Sequence, residues 1–285
     1  MIAVTGATGQ LGRLVIDALL KTVPANQIVA AVRSPAKASD LAARGVVVRE
    51  ADYSQPATLD NAFKGVTQLL LISSSEVGQR AVQHRAVIDA AKRAGVKLIA
   101  YTSLLRAQTS PLALAAEHKE TEALLAASGI DTVLLRNGWY TENHTASLGA
   151  AVAHGVVLGS AKDGRFATAS RADYAQAAAV VLTTEGHAGK TYELAGDSAY
   201  TLTELAAEFA KQSGKAIAYQ DLPAADFTAA LVQVGLPEGF AAILADSDVG
   251  ASHGALFDDT HQLSQLIGRA TTPLATVVGA ALKAS

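Results

Sequence analysis

Hydrophobic positions in the first half of the chain gather into short β-branched runs, separated by longer Ala-rich stretches of helical period. Six runs have strand character, at residues 2–5, 28–32, 46–49, 68–72, 98–102 and 132–135. Between them the pattern predicts helices at 11–22, 35–44, 56–63, 78–94 and 114–128. Strands alternating with helices specify βαβ units and a parallel sheet, since a parallel crossover needs a connection of helix length. Several strands are apolar throughout, which places them centrally with helices on both faces. Gly45, Gly65, Gly95 and Gly129 each follow a helix, where a left-handed C-cap is expected.

Beyond Asn137 the periodicity loosens. Helical stretches at 145–153, 171–184, 202–212, 224–234 and 274–282 mix with short strands at 156–158, 191–194 and 216–219. This predicts a first domain over 1–137 and a smaller lobe over 138–285, with the helix at 171–184 returning to the first sheet and the lobes sharing one cleft. Asp246, Ser247, Asp248, Val249 and Gly250 superficially suggest a calcium loop but lack its downstream ligands, and they read as a polar turn.

Composition narrows the function classes. The chain has 285 residues, half of them apolar and 17% charged, enough for a full core without covalent staples. Its formal net charge of −3 supplies no long-range field for nucleic acid or an anionic membrane. The absence of cysteine excludes disulfides, zinc–thiolate sites and a thiol nucleophile. No apolar stretch approaches the roughly 18 residues of a membrane span, and no leader pattern precedes the first strand. A cytoplasmic protein, monomeric or homodimeric, is expected.

The chemistry is concentrated where strands end. Gly6, Ala7, Thr8, Gly9, Gln10, Leu11 and Gly12 follow the first strand with spacing G-x-x-G-x-x-G. Gly6 suits a tight turn, Gly9 lets backbone approach a pyrophosphate, and Gly12 allows close helix–strand packing. A strand, a glycine turn and a helix start aim backbone N–H groups and a positive dipole end at phosphate. The expectation is a Rossmann-type doubly wound α/β domain that binds a dinucleotide, followed by a smaller C-terminal α/β substrate lobe.

About twenty residues on, where an acidic side chain would bind the ribose of NAD, the chain has Arg33. A guanidinium pairs a 2′-phosphate, so NADPH is expected in preference to NADH. Asp52 is placed either to accept from an adenine amine or to cap the helix beginning at Pro56. Ser73, Ser74 and Ser75 follow the fourth strand on the same edge, where hydroxyls or N–H groups meet cofactor. Asn137, Gly138, Trp139, Tyr140, Thr141 and Glu142 follow the sixth strand; the aromatics there suit a nicotinamide and a flat substrate or, equally, a packing anchor between lobes. His118 and Glu122 are one helical turn apart, a spacing that fits a surface pair or a catalytic acid. No H-E-x-x-H occurs and no metal is expected.

Read together, residues 4–12, 70–79, 99–104, 134–143, 192–197 and 245–252 resemble the NmrA-like, atypical members of the short-chain dehydrogenase/reductase superfamily, its quinone-reducing members above all. The resemblance implies an NADPH-dependent reductase that passes electrons directly to a quinone without flavin. It places cofactor contacts on the glycine turn, Arg33, the serine loop and residues 137–142. The superfamily's Tyr-x-x-x-Lys acid is missing, since Ala115 stands four before Lys119. In the related isoflavone-reductase group a lysine acts at the place of His118, and a histidine there suits proton donation near neutral pH. The catalytic expectation therefore falls on His118 and Tyr140, with water as the other proton source. Two other activities fit the same resemblance: an NADP(H)-binding redox sensor, and a reductase of triphenylmethane dyes.

Overall fold

A computed structural model describes residues 1–284. The chain runs β1 (Ile2–Thr5), α1 (Gln10–Leu19), β2 (Ile28–Val32), α2 (Ser39–Ala43), β3 (Val47–Glu50), α3 (Pro56–Ala62), β4 (Gln68–Leu71), α4 (Arg80–Ala94), β5 (Leu98–Leu104), α5 (Ala115–Ser128) and β6 (Asp131–Asn137). It continues with α6 (Thr141–Thr145), α7 (Leu148–His154), β7 (Val156–Gly159), α8 (Arg171–Thr183), β8 (Thr191–Leu194), α9 (Leu202–Ser213), β9 (Ala218–Asp221), α10 (Ala224–Gln233), α11 (Glu238–Ser252), α12 (Gln262–Ile267) and α13 (Leu274–Ala284).

Chain contacts divide into two compact units, the first comprising Met1–Ala107, Ala116–Asn137 and Arg171–Tyr192. Its sheet has seven strands in the order β3-β2-β1-β4-β5-β6-β8. β1 is central and parallel to both neighbours, with Ile2 opposite Ile28 and Gln68. All four residues of β1 and all five of β2 are buried, as expected for strands covered on both faces. The strand order reverses between β1 and β4, so the carboxyl ends of those strands open a crevice where ligands bind in doubly wound sheets. On one face Leu59, Phe63, Leu69, Val87 and Ile99 form an apolar layer beneath α3 and α4. Elsewhere in this unit α8 packs along α1 and touches β4, β5 and β6.

The second unit comprises Gln108–Ala115, Gly138–Ser170 and Glu193–Ser285, of which residues to 284 are described. Here β7 and β9 pair in parallel as a two-stranded sheet. A capping box starts α9: Thr201 Oγ1 accepts from the Glu204 amide and Glu204 Oε2 accepts from the Thr201 amide. Gly250 lies so close to Leu112 that a Cβ would stand 2.2 Å from its Cδ2.

The structure corrects three local readings. The stretch at 35–44 is a 3-10 turn, Pro35–Ala38, followed by the short α2. The helix expected over 145–153 is two helices, because the Ser147 amide and hydroxyl both turn back onto the His144 carbonyl. Residues 246–250 are not a polar turn but the interior of α11, with Ser247 fully buried. Aspartates favour turns when they bond their own backbone; here Asp246 instead accepts from the Ala113 amide and Asp248 from the Ser160 amide, both at 2.9 Å, and the helix continues.

Candidate cofactor site

The site begins at the turn after β1. Gly6 has φ of +58°, a left-handed conformation that favours glycine, and its carbonyl accepts from the Gly9 amide at 2.9 Å. Gly9 caps α1 without a side-chain hydrogen bond, and no acidic residue stands in the first turn of that helix. Its positive end therefore meets no acidic side chain from its own first turn, which suits an anion. At Gly12 a Cβ would lie 2.4 Å from the Gly6 carbonyl oxygen and 2.7 Å from the Ala7 Cα. The helix thus packs directly on backbone, a cradle that even a methyl group would force open.

Side chains hold the switch point in shape. The Thr5 hydroxyl donates to the Leu70 carbonyl and accepts from the Ile72 amide, joining the ends of β1 and β4. Tyr53 OH lies 2.6 Å from Thr5 Oγ1 and 3.0 Å from the Ile72 carbonyl. The capping expectation for Asp52 is not met. One oxygen of its carboxylate accepts from the Ser54 amide and the other from Gln55 Nε2, while Gln55 occupies the cap position of α3. The aspartate shapes the turn before the helix instead of capping it.

Arg33 stands just past β2, exposed, with Nη1 2.8 Å from Glu76 Oε1. Glu76 belongs to the loop that Ser73, Ser74 and Ser75 begin. The Ser73 amide donates to Thr102 Oγ1 and the Ser74 amide to His84 Nε2, each at 2.9 Å. Two of the N–H groups expected to meet cofactor are therefore committed within the protein.

Behind this loop lies a buried polar layer. His84 accepts at Nε2 from Ser74, so its proton sits on Nδ1, 2.8 Å from Thr121 Oγ1, and Thr121 donates onward to the Glu117 carbonyl. Tyr101, in the apolar layer, needs a partner for its hydroxyl and finds His118 Nδ1 at 2.7 Å. His118 is only 5% exposed. Burial, then the positive charge of Arg80, pushes its pKa down to about 3. Burial takes His84 down to about 4 and pushes Tyr101 above the usual phenol range. One turn on from His118, Glu122 receives Ser103 Oγ at 2.6 Å and both Nε and Nη2 of Arg136.

Asn137 closes β6. Its carbonyl accepts from the Leu105 amide, while its side-chain Oδ1 is buried without a hydrogen-bond partner in the protein. A buried acceptor of this kind costs stability unless a ligand donor meets it. An amide NH2, such as that of a nicotinamide carboxamide, has the required chemistry. The neighbouring residues belong to the second unit and are fixed through backbone. Gly138 donates to the Leu194 carbonyl, the Trp139 carbonyl accepts from Ala169, and the Thr141 amide returns to the Ala169 carbonyl. Trp139, Tyr140 and Glu142 are partly exposed. No group among the described residues has the composition of a metal site, and no described helix is long and apolar enough to cross a membrane.

Sequence reasoning missed Glu76, Tyr101, His84 and Glu117. The signal for Glu76 was present in its position five residues past the end of β4. Connecting it to Arg33 requires knowing that β2 and β4 flank the same strand.

Residues 1–274 match the NmrA-like family model. Quinone oxidoreductase 2 of Escherichia coli is 67% identical over 278 residues, 98% of this chain and 97% of that one. The crystal structure of an NADPH-dependent quinone oxidoreductase from E. coli in complex with NADPH superposes with a TM-score of 0.96, at 66% identity over 99% of this chain and 100% of that one. The triphenylmethane reductase of Citrobacter sp. in complex with NADP(H) gives 0.94 at 43% identity, over 99% and 100% of the two chains. With a family match across nearly its whole length and a relative identical at two positions in three, this chain belongs to the NmrA-like family.

Proposed function

We propose that this protein is an NADPH-dependent quinone oxidoreductase that works without flavin. The observation that carries the reading is the backbone cradle at Gly6, Gly9 and Gly12 beside an exposed arginine at the next strand end. The high identity to the E. coli enzyme supports the choice of quinone as acceptor. NADPH, when bound, supplies the hydride.

The chain's own residues do the rest. The turn residues Gly6, Ala7, Thr8, Gly9, Gln10 and Leu11 hold the pyrophosphate through backbone N–H groups at the start of α1. Arg33 reads the 2′-phosphate. Asn137 Oδ1 accepts from the carboxamide and so fixes which face of the nicotinamide is presented. Ser75 and the serine hydroxyls border the ribose, and Gly138, Trp139, Tyr140, Thr141 and Glu142 form the wall toward the quinone, with Tyr140 against its ring. Residues 1–137 with α8 serve as the cofactor domain, and 138–285 mainly as the substrate lobe.

Of the two proton sources, His118 and water, burial of the imidazole favours water. With a pKa near 3 His118 is neutral at physiological pH, so its imidazolium is not the proton source. It supports Tyr101, and water completes the hydroquinone. A quinone makes this feasible, because its reduced oxygen is a phenolate, far less basic than an alkoxide, and orientation within the site lowers most of the barrier.

The test is NADPH oxidation by purified protein with a small benzoquinone, set beside a no-enzyme control and a cationic triphenylmethane dye. A quinone rate well above background is expected, with no break near pH 6.5. No rate on either acceptor would instead favour a cofactor-binding regulator, and a faster dye rate a dye reductase. Arg33→Asp should lower the NADPH-to-NADH ratio of kcat/KM by roughly ten- to a hundredfold, since it removes a charge-assisted pair and adds a like charge. An unchanged ratio would remove Arg33 from the site.

A further inference from the structure

The guanidinium that reads the 2′-phosphate already holds an anion. Glu76 Oε1 lies 2.8 Å from Arg33 Nη1, and Glu76 Oε2 accepts from Gln83 Nε2 at 2.7 Å. This carboxylate is delivered by a loop held at several points. Ser73 is tied to Thr102, Ser74 to His84, and the Ser74 carbonyl accepts from Arg80 Nε. The Gly78 and Arg80 amides both donate to Glu117 Oε1, at 3.0 and 3.1 Å, so a side chain of α5 anchors the far end of the loop. Glu76 is thus aimed at Arg33 by a fixed frame, while the pair itself remains exposed enough for a ligand to enter it.

A phosphate monoester and a carboxylate compete for one guanidinium fork. The phosphate brings close to two negative charges at neutral pH, so a carboxylate left beside it is repelled. NADH brings no such group and leaves the Arg33–Glu76 pair in place. We propose that Glu76 is a specificity-determining residue that competes with the 2′-phosphate for Arg33 and so holds down the preference of this protein for NADPH over NADH. The inference rests on the reading of Arg33 given above.

The experiment is equilibrium titration of NADPH and NADH by nicotinamide fluorescence, without quinone, on wild type, Glu76→Gln, Arg33→Ala and the double variant. Glutamine keeps an acceptor for Gln83 and replaces the acceptor facing Arg33 with an NH2, so the charge and the exposed Arg33 pair are lost together while the melting temperature should stay within about a degree of wild type, since exposed pairs contribute little. Glu76→Gln should tighten NADPH about three- to tenfold, the range for one exposed like-charge contact plus a lost competing pair, and leave NADH within about twofold. The gain should shrink in about 0.5 M salt, where exposed charges are screened, and vanish in the Arg33→Ala background. If Arg33→Ala weakens NADPH selectively while Glu76→Gln leaves it unchanged or weaker, the role of Glu76 is overturned and that of Arg33 stands. If Arg33→Ala leaves the NADPH-to-NADH ratio of dissociation constants unchanged, the Arg33 reading falls and takes this inference with it.

Discussion

Gly12→Ala is expected to weaken NADPH binding at least tenfold and to lower the melting temperature by several degrees. The added Cβ would meet the Gly6 carbonyl oxygen at 2.4 Å and the Ala7 Cα at 2.7 Å, and both are backbone, which cannot rotate aside as a side-chain tip does. The start of α1 must therefore lift from the turn. Overpacking of this kind costs roughly 1–3 kcal/mol. Binding suffers further because the N–H groups at the helix start are displaced from the geometry they present to phosphate. Gly9 provides the internal comparison. Its Cβ would stand 3.2 Å from the same oxygen, so Gly9→Ala should perturb the melting temperature less. Thermal melts and NADPH titration of both variants check the prediction. A Gly12→Ala protein with wild-type melting temperature and affinity would mean that the cradle gives way without cost.

The second large effect is acid destabilisation. His84 and His118 are buried and neutral, with pKa values of about 4 and about 3, against about 6.5 in an unfolded chain. Between those limits the unfolded chain binds protons that the folded chain refuses, so stability falls as pH drops from about 6.5 toward 4. At pH 4.5 this amounts to on the order of 2 kcal/mol for each histidine, a large share of the roughly 5–15 kcal/mol that holds a folded domain. His144, also pushed down to about 4 by burial, acts in the same direction. Urea unfolding at a series of pH values from 7 to 4.5 should show a steep loss, partly relieved by His118→Asn, whose amide oxygen still accepts from Tyr101. Unfolding free energies that stay level to pH 4.5, or the same slope in the variant, would show that His118 is not held neutral.

Both effects trace to features with different visibility in the sequence. The glycine turn was legible because its requirements are local: a strand must stop, φ must turn positive at Gly6, and a helix must begin within a few residues. The six strands β1 to β6 were legible for the same reason. The apolar runs of β1, β2 and β4 report burial on both faces, whereas β3 is half-buried and β6 alternates, and β1 and β2 have the bounds that the pattern predicts. The character of His118 was not legible. Its position one turn before Glu122 fits a surface pair equally well, and its burial beside Tyr101, which favours the neutral imidazole, follows from packing that the local sequence does not show. Residues 246–250 misled for a related reason, since their aspartates satisfy amides more than eighty residues away in sequence.

The sequence by itself determined the alternating α/β plan, the glycine turn between β1 and α1 and the placing of Arg33 at the next strand end, because each follows from backbone periodicity or from a few consecutive residues. Only the tertiary structure decided that Glu76 meets Arg33, that Asn137 keeps a buried acceptor and that His118 is buried against Tyr101. Strand order sets which loops become neighbours, and burial sets which groups can hold a charge; neither is a property of any short stretch of chain.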